Sequence, residues 1–314
     1  MTKTMKAALA AATLLVPVSG CAAATQSPPA AASAAMPMPA PSPAFQPTRF
    51  TVTVEGSGPD VILIPGLSTP RAVWDGARAA LGGHYRLHLV QLNGFGGTSV
   101  GANSDQQILA GTVEELERYI AANRLQRPAV VGHSLGGLMG MMLAQRAPDR
   151  VGRLMVVDAL PFIGTMFGPQ VTVEAIRPQA EAMRTQMSAP ATPEQRQAAA
   201  AQVAAGLVKT PAGRELVTRW MMDADPRVSG ELVYEGRTTD VREGLARIAA
   251  PVTVLYAYDD ARLPQAQAAS VFEPAYRGAP NVRFEPVGGS AHFIMLDQPE
   301  RFAELLRAFV ADAR

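Results

Sequence analysis

The chain contains the segment Ala129-Val130-Val131-Gly132-His133-Ser134-Leu135-Gly136-Gly137. Its apolar first half predicts a buried strand, and the Gly-, Ala- and Met-rich residues from Leu135 to Ala147 predict a helix. The pattern Gly-x-Ser-x-Gly between them is typical of a sharp strand-to-helix turn that exposes the serine hydroxyl. The pattern alone arises by chance in about one such chain in ten. The strand and the helix on either side therefore carry our interpretation of Ser134 as a nucleophile.

Strands and helices alternate around this turn. An edge strand with alternating polar and apolar residues is predicted at 49–54, to pair in the antiparallel direction. Continuous apolar runs, typical of strands buried on both faces, follow at 60–64, 86–92 and 153–157, and the strand before Ser134 is another such run. Helical patterns separate these runs. The alternation predicts an α/β fold built on a mostly parallel, doubly wound sheet.

The alternation stops after residue 161. Residues 162–248 contain no convincing strand, and helices are predicted to start at Thr192 and Thr210, each of which precedes a proline. Gln195 completes a capping box with Thr192. We therefore predict a helical cap at 162–248, inserted between two strands and lying over the sheet edge that carries Ser134.

The α/β pattern then resumes. Strands are predicted at 251–256 and 281–287, and Asp297-Gln298-Pro299-Glu300 is predicted to cap a final helix. The buried face of that helix is expected to consist of Phe302, Leu305, Leu306 and Phe309. The core is thus predicted to consist of residues 48–161 and 249–314.

The first residues have the features of a signal peptide at 1–20. Two lysines precede an apolar stretch too short to span a bilayer. The segment ends in Val18-Ser19-Gly20-Cys21, which resembles a bacterial lipoprotein signal, in which cleavage precedes a cysteine that becomes lipidated. The alternative is an ordinary secretory peptide cleaved near 22–24. Either signal exports the mature protein.

Cys21 is the only cysteine, so no internal disulfide is expected. Residues 21–47 are rich in Ala and Pro and are predicted to be a linker to the folded domain. We expect an exported protein, held by lipid on Cys21 in the bacterial cell envelope, on the periplasmic side. Ala22, directly after the cysteine, resembles the residue at that position in lipoproteins that are sorted to the outer membrane.

The composition argues against several classes of partner. The net charge is +1 and aromatic residues make up 6% of the chain, which gives no basic or stacking surface for nucleic acid. The glycine-rich loop 93–99 lacks the three-glycine spacing of a dinucleotide site. No metal or organic cofactor is expected, and the oligomeric state is left open.

A serine nucleophile needs a base, and the chain has four histidines. His84 and His88 lie before or within an early strand, and His133 lies inside the turn, where it is expected to point away from the nucleophile. His292 follows the last predicted strand, at the sheet edge that also carries Ser134. We interpret His292 as the general base; the alternative is a loop histidine that caps the final helix.

An acidic residue should orient that base. Asp259 and Asp260 follow the strand 251–256, and Asp158 follows the strand 153–157. Both positions lie at the carboxyl edge of the sheet, and the order Ser, Asp, His fits both. The residues themselves leave this choice open.

From Arg49 to Arg314 the chain resembles the α/β-hydrolase superfamily, in the branch with a helical cap. The similar segments are the predicted nucleophile elbow, the oxyanion loop, a Gly-x-Gly loop, the acid-bearing segment and the ending His292 with its last helix. They lie at 132–137, 63–67, 93–96, 256–264 and 292–302. Pro65 stands where the family often has His, and Gln91 stands where it usually has Asp.

The resemblance implies a mechanism. It places the acid four residues before Pro264, which selects Asp260, and it assigns the oxyanion hole to the main-chain N–H groups of Leu67 and Leu135. Ser134 would attack a small-molecule acyl ester, with His292 as base. The alternatives are an amidase or aminopeptidase, a thioesterase or a lactonase on the same triad, or a non-catalytic member of the fold that binds lipid or protein.

Substrate specificity is expected to come from the cap. The candidate substrate-binding residues are apolar or aromatic: Trp74, Phe162, Met166, Phe167, Trp220, Met221 and Phe293. Each of them is also a candidate for plain core packing. A pocket lined by such residues favours an acyl chain or an aromatic ester over a charged substrate.

Overall fold

The computed structural model describes residues 45–312. The predicted signal peptide, Cys21 and the linker as far as residue 44 lie outside the described residues. Within residues 45–312, no helix is long and apolar enough to cross a membrane.

Seven strands form one sheet in the order β1-β3-β2-β4-β5-β6-β7. All neighbouring strands pair in parallel except β1 and β3 at one edge, which pair in the antiparallel direction. The strands are β1 (Phe50–Glu55), β2 (Asp60–Ile64), β3 (Arg86–Leu92), β4 (Ala129–His133), β5 (Arg153–Val157), β6 (Val252–Tyr258) and β7 (Val282–Gly288). The predicted α/β fold with a mostly parallel sheet is confirmed.

Ten α-helices connect or cover these strands. They are α1 (Asp75–Leu81), α2 (Ile108–Ala122), α3 (Leu135–Arg146), α4 (Val173–Ser188), α5 (Pro193–Leu207), α6 (Pro211–Met222), α7 (Pro226–Thr238), α8 (Gln265–Ala275), α9 (Ile294–Asp297) and α10 (Pro299–Ala311) among the described residues. No helix is predicted from the sequence at α8 or α9. The capping box at Thr192 is present: its hydroxyl accepts from Gln195 N–H while the Gln195 side chain accepts from Thr192 N–H.

The core has two layers, one on each face of the sheet. Along β2, Ile62 and Ile64 join the apolar cluster on one face, whereas Val61 and Leu63 join the cluster on the other. Because successive strand side chains point to opposite faces, a strand covered on both sides must be apolar at every position. Full burial of each such side chain contributes about 1.5–3 kcal/mol, which explains the uninterrupted apolar runs.

The cap lies between β5 and β6 in the chain, and its secondary-structure elements are helices, as predicted. Helix α4 packs on α7, and α5 packs on α6. The Glu235 carboxylate of α7 accepts hydrogen bonds from the Ile108 and Leu109 N–H groups at the start of α2. Burial raises the pKa of Glu235, although those N–H groups act in the opposite direction.

The final helix has the predicted buried face, formed by Phe302, Leu305, Leu306 and Phe309. The predicted N-terminal capping of this helix is wrong in one respect. Asp297 belongs to α9, and the residue before α10 is Gln298, whose side chain makes no capping hydrogen bond. The Asp297 carboxylate instead accepts hydrogen bonds from the cap and from the His292 loop.

Candidate active site

Ser134 lies on the turn between β4 and α3, in a strained conformation. Its φ is 53° and its ψ is −121°, a region that costs non-glycine residues about 1–3 kcal/mol. A Cβ at Gly132 would lie 2.2 Å from the Gly136 carbonyl oxygen, and a Cβ at Gly136 would lie 2.2 Å from that of Ile64. Only glycine permits this close approach of strand and helix, so the two glycines make the turn possible.

His292 lies on the loop after β7 and is bonded to an acid. Its Nδ1 is 2.7 Å from Asp158 Oδ2. Because an ionised carboxylate only accepts, this contact places the proton on Nδ1. The other ring nitrogen, Nε2, makes no hydrogen bond within residues 45–312. His292 is thus oriented on one side and has a free lone pair on the other.

Asp158 is fixed at the end of β5 by its own main chain and by β6. Its N–H donates to the Leu255 carbonyl oxygen at 2.8 Å, and its Oδ1 accepts from the Ala257 N–H at 2.9 Å. Its φ is 49°, so the backbone turns sharply here. These bonds leave Oδ2 for His292.

The structure contradicts the choice of Asp260 as the residue that orients His292. Strand β6 extends to Tyr258, and the following turn closes on itself, since Asp259 and Leu263 exchange main-chain hydrogen bonds at 3.0 and 2.7 Å. Asp260 lies exposed on this turn. Asp259 forms an ion pair with Lys209 of the cap, with Nζ to Oδ2 at 2.8 Å.

His133, the residue before Ser134, contacts the loop that carries His292. Its ring lies against His292, with ring centroids 4.6 Å apart, and against Phe293 at 4.7 Å. Its Nε2–H donates to the main-chain oxygen of His292 at 3.1 Å, while Nδ1 is buried without a partner. Burial lowers the pKa of His133 well below its ordinary value, with His292 acting in the same direction. His133 is therefore a neutral donor that connects the turn to the His292 loop.

The two predicted oxyanion donors have no hydrogen-bond acceptor in the described part of the chain. Within residues 45–312, the N–H groups of Leu67 and Leu135 donate no hydrogen bond. Leu135 is the first residue of α3, where N–H groups have no partner inside the helix. The next residue along the other loop, Ser68, has a φ of 52°. Its buried hydroxyl lies 2.8 Å from that of Ser229 in α7, which connects this loop to the cap.

Asp297 joins the cap to the His292 loop. Its carboxylate accepts from the N–H groups of Lys209 and Thr210 between α5 and α6, and from that of Ala291 beside His292. Phe293 N–H also donates to the Leu207 carbonyl oxygen at 3.2 Å. The α5–α6 hairpin is thus fixed directly to the loop that carries His292.

The predicted substrate-binding residues separate into three groups. Trp74 and Phe162 have no exposed surface; Trp74 stacks on Phe302, and the Arg242 guanidinium lies over Phe162. A side chain without accessible surface cannot line a pocket, so these two predictions are wrong. Met166 and Phe167 form the second group, with 61% and 59% of their surface exposed.

The third group extends from the cap toward His292. Trp220 contacts Phe293, with ring centroids 6.3 Å apart, and Phe293 contacts the His292 ring at 5.5 Å. Met221 is partly buried against the same apolar cluster. Their role in binding a substrate stays a prediction.

Three residues of this arrangement are not predicted from the sequence. They are His133 as a donor, Asp297 as the acceptor that connects the cap to the His292 loop, and Ser68 as a contact to the cap. A histidine inside Gly-x-Ser-x-Gly is a visible signal, but its direction depends on the loop opposite. Asp297 is also visible in the sequence, because an acidic residue between a loop with a histidine and the start of a helix can accept hydrogen bonds from either of them.

Known proteins resemble this chain in sequence and in structure. A family model described as the alpha/beta hydrolase fold matches residues 59–299. A pimeloyl-[acyl-carrier protein] methyl ester esterase from Aeromonas salmonicida is 29% identical over 266 residues, which is 83% of this chain and 100% of that protein.

Two solved structures share the fold. A hydrolase from Pseudomonas aeruginosa superimposes with a TM-score of 0.69 at 22% identity, over 83% of this chain and 94% of that one. An enol-lactonase from Burkholderia xenovorans superimposes with a TM-score of 0.67 at 19% identity, over 84% of this chain and 96% of that one.

Proposed function

The chain belongs to the α/β-hydrolase family, and from that premise we propose that it is a serine hydrolase that cleaves a carboxylic ester with Ser134, His292 and Asp158. The observation that carries the proposal is the 2.7 Å bond from His292 Nδ1 to Asp158, which leaves Nε2 free. A base with one oriented and one free nitrogen is what activation of a serine hydroxyl requires.

The proposed reaction has two steps. Ser134 Oγ attacks the ester carbonyl carbon while His292 Nε2 takes its proton, and the protonated His292 then gives that proton to the departing alcohol. Water, activated by His292 in the same way, hydrolyses the acyl-enzyme and frees the acid. Asp158 stabilises the imidazolium in both steps.

The oxyanion would be bound by the main-chain N–H groups of Leu67 and Leu135. Each such donor is typically worth about 3–4 kcal/mol of transition-state stabilisation. The two groups are unpaired in the described structure, which leaves them available to a developing negative charge. Side-chain substitution at either leucine would not delete its N–H.

The relatives favour an ester as the substrate. The Aeromonas protein is named as a methyl ester esterase, and its similarity extends over both parts of the core and the cap. We therefore place ester hydrolysis ahead of amide or thioester hydrolysis on the same residues.

A panel of chromogenic esters of increasing acyl length, with aminoacyl amides and thioesters alongside, tests this proposal. Ser134→Ala and His292→Ala should each lower kcat by roughly 10⁴-fold or more, and the double variant should be no worse than either. A fluorophosphonate probe should label the wild type and not Ser134→Ala. Ester turnover that survives in Ser134→Ala, or the absence of labelling in folded wild type, would overturn the proposal.

We also propose that the mature protein is exported and anchored in the cell envelope by lipid on Cys21. The support is the sequence 18–21 and the absence of any other cysteine. Wild type produced in a bacterium should partition into detergent and incorporate labelled palmitate, whereas Cys21→Ala should do neither. An unlabelled, water-soluble wild type would contradict this.

A further inference from the structure

The Asp297 carboxylate closes the turn that contains His292. Asp297 is the last residue of α9 and follows His292 by five positions. Its N–H donates to the Phe293 carbonyl oxygen at 3.1 Å, and its Oδ2 accepts from the Ala291 N–H at 2.9 Å. The residues directly before and after His292 are therefore both bonded to Asp297, so the course of the main chain at His292 depends on this one side chain.

The same carboxylate also holds the cap. Its Oδ1 accepts from the N–H groups of Lys209 and Thr210, at 2.9 and 3.2 Å, in the connection between α5 and α6. Among the carboxylates of residues 45–312, no other accepts hydrogen bonds from both the cap and the His292 loop. Because hydrogen bonds to an ionised acceptor are about twice as strong as neutral ones, Asp297 connects the two segments firmly.

A second acid contacts the same part of the cap but not the His292 loop. Asp259 Oδ2 lies 2.8 Å from Lys209 Nζ, and Asp259 Oδ1 accepts from the Ala261 N–H inside its own turn. Within the described structure Asp259 makes no hydrogen bond to residues 289–293. The two acids therefore share Lys209 as a partner and differ in whether they reach the base.

We propose that Asp297 is a positioning residue that fixes the place of His292 by connecting its loop to the cap. Both carboxylate oxygens are needed, because Oδ1 serves the cap and Oδ2 serves Ala291. Proton transfer requires the base within hydrogen-bond reach of the nucleophile, and a displacement of about 1 Å can lower the rate about 100-fold. The proposal rests on the function proposed above, in which His292 is the base that activates Ser134.

Two substitutions at Asp297 distinguish positioning from packing. An amide has the shape of the carboxylate but only one acceptor. In Asp297→Asn we expect its oxygen to face the two N–H groups of the cap, which leaves the Ala291 N–H against a donor. This variant should lower kcat about 10- to 100-fold with little change in KM. Asp297→Glu keeps both acceptors and should retain more activity than Asp297→Asn. A packing role alone predicts the opposite order, since Glu is longer than Asp and Asn is not.

Asp259→Asn is the matched control, because it changes the other acid beside Lys209 in the same way. It should keep kcat within about twofold of wild type, as expected for a pair of exposed charges. Equal losses of kcat in Asp259→Asn and Asp297→Asn, or lower activity in Asp297→Glu than in Asp297→Asn, would overturn the positioning role.

Two further measurements do not need an ester substrate. Amide hydrogen exchange at residues 289–293 should be faster in Asp297→Asn than in wild type and unchanged in Asp259→Asn. The rate at which a fluorophosphonate labels Ser134 should fall in Asp297→Asn and not in Asp259→Asn. Wild-type exchange and labelling in Asp297→Asn would refute the proposal. A wild type that hydrolyses no ester, but shows these differences, would overturn the esterase and leave the positioning role of Asp297.

Discussion

Two histidine–aspartate pairs lie at opposite ends of the same sheet. At the amino end, His88 Nε2 is 2.9 Å from Asp60, while His88 Nδ1 is 2.7 Å from the Tyr119 hydroxyl. Asp60 is also paired with Arg86. At the carboxyl end, His292 Nδ1 is 2.7 Å from Asp158. The first pair uses both ring nitrogens, and the second leaves one free.

Exposure separates the pairs as well. The His88 side chain is 3% exposed and that of His292 is 24% exposed. A histidine whose two nitrogens are both bonded and buried can stabilise a fold but cannot take a proton from a substrate or a nucleophile. The unused nitrogen, rather than the histidine–aspartate contact, is what distinguishes a catalytic pair from a structural one.

The largest expected effect is the difference in kcat between two Asp→Asn substitutions, one in each histidine–aspartate pair. Asp158→Asn should lower kcat by about 10⁴-fold, because the new amide donates to Nδ1 and forces the proton onto Nε2. Asp60→Asn should leave kcat near that of wild type and lower the free energy of unfolding by about 1–3 kcal/mol, because Arg86 and His88 lose a charged acceptor. Ester kinetics and urea denaturation measure the two effects.

Asp260→Asn is the control for that experiment, since Asp260 lies exposed beyond β6. It should retain full activity. Loss of activity in Asp260→Asn with retention in Asp158→Asn would restore the assignment that the resemblance implied, and an equal loss in Asp158→Asn and Asp60→Asn would remove the distinction between the pairs.

An intermediate effect is expected from His133, which donates a hydrogen bond to the main-chain oxygen of His292. His133→Phe keeps a ring against His292 but removes the donor to its main-chain oxygen, whereas His133→Gln keeps an N–H near the position of Nε2. We expect kcat to fall about tenfold in the Phe variant with little change in KM, because one hydrogen bond is worth about 1 kcal/mol. The Gln variant should retain most of the activity.

A merely structural role of His133 would predict a different pattern. The two variants would then lose activity in proportion to their loss of stability, and thermal unfolding monitored alongside the kinetics would reveal it. Equal kcat in the Phe and Gln variants would show that the bond to His292 does not position the base.

These comparisons show why the sequence predicts the fold better than the site. The apolar run of β2 and the capping box at Thr192 are local patterns whose physical causes lie within a few residues, and the structure contains both. The choice between Asp158 and Asp260 depends on neighbouring strands about 4.8 Å apart. Both acids follow a strand at the same edge, and only the length of β6 and the turn after it decide which one reaches His292.

The predictions for Trp74 and Asp297 are wrong for the same reason, which is that contacts with residues distant in the chain decide both. An aromatic residue near the oxyanion loop can face a pocket or the core, and contact with Phe302 of the distant helix α10 determines the outcome. An acidic residue before a helix can accept hydrogen bonds from the first turn of that helix or from another segment. The Asp297 carboxylate accepts them from N–H groups of the helical insertion, about ninety residues earlier in the chain.

The smallest expected effect concerns the pH dependence of stability. Burial lowers the pKa of His88 below its ordinary value of 6.5, although Asp60 acts in the opposite direction. Below about pH 6.5 the unfolded chain therefore takes up a proton that the folded chain does not, so this contribution to stability is complete above that pH and is lost as the pH falls. His88→Gln should be less stable than wild type at pH 8 but should lose less further stability between pH 7 and pH 5.

Chemical denaturation at several pH values measures these slopes, with His84→Gln as the control because His84 is exposed. The control should follow the wild-type slope, while buried His133 contributes a common slope to all three proteins. If His88→Gln loses stability toward acid as steeply as wild type, His88 accepts a proton in the folded state. Full hydrogen bonding would then not be what separates the pair at the amino end from Asp158 and His292.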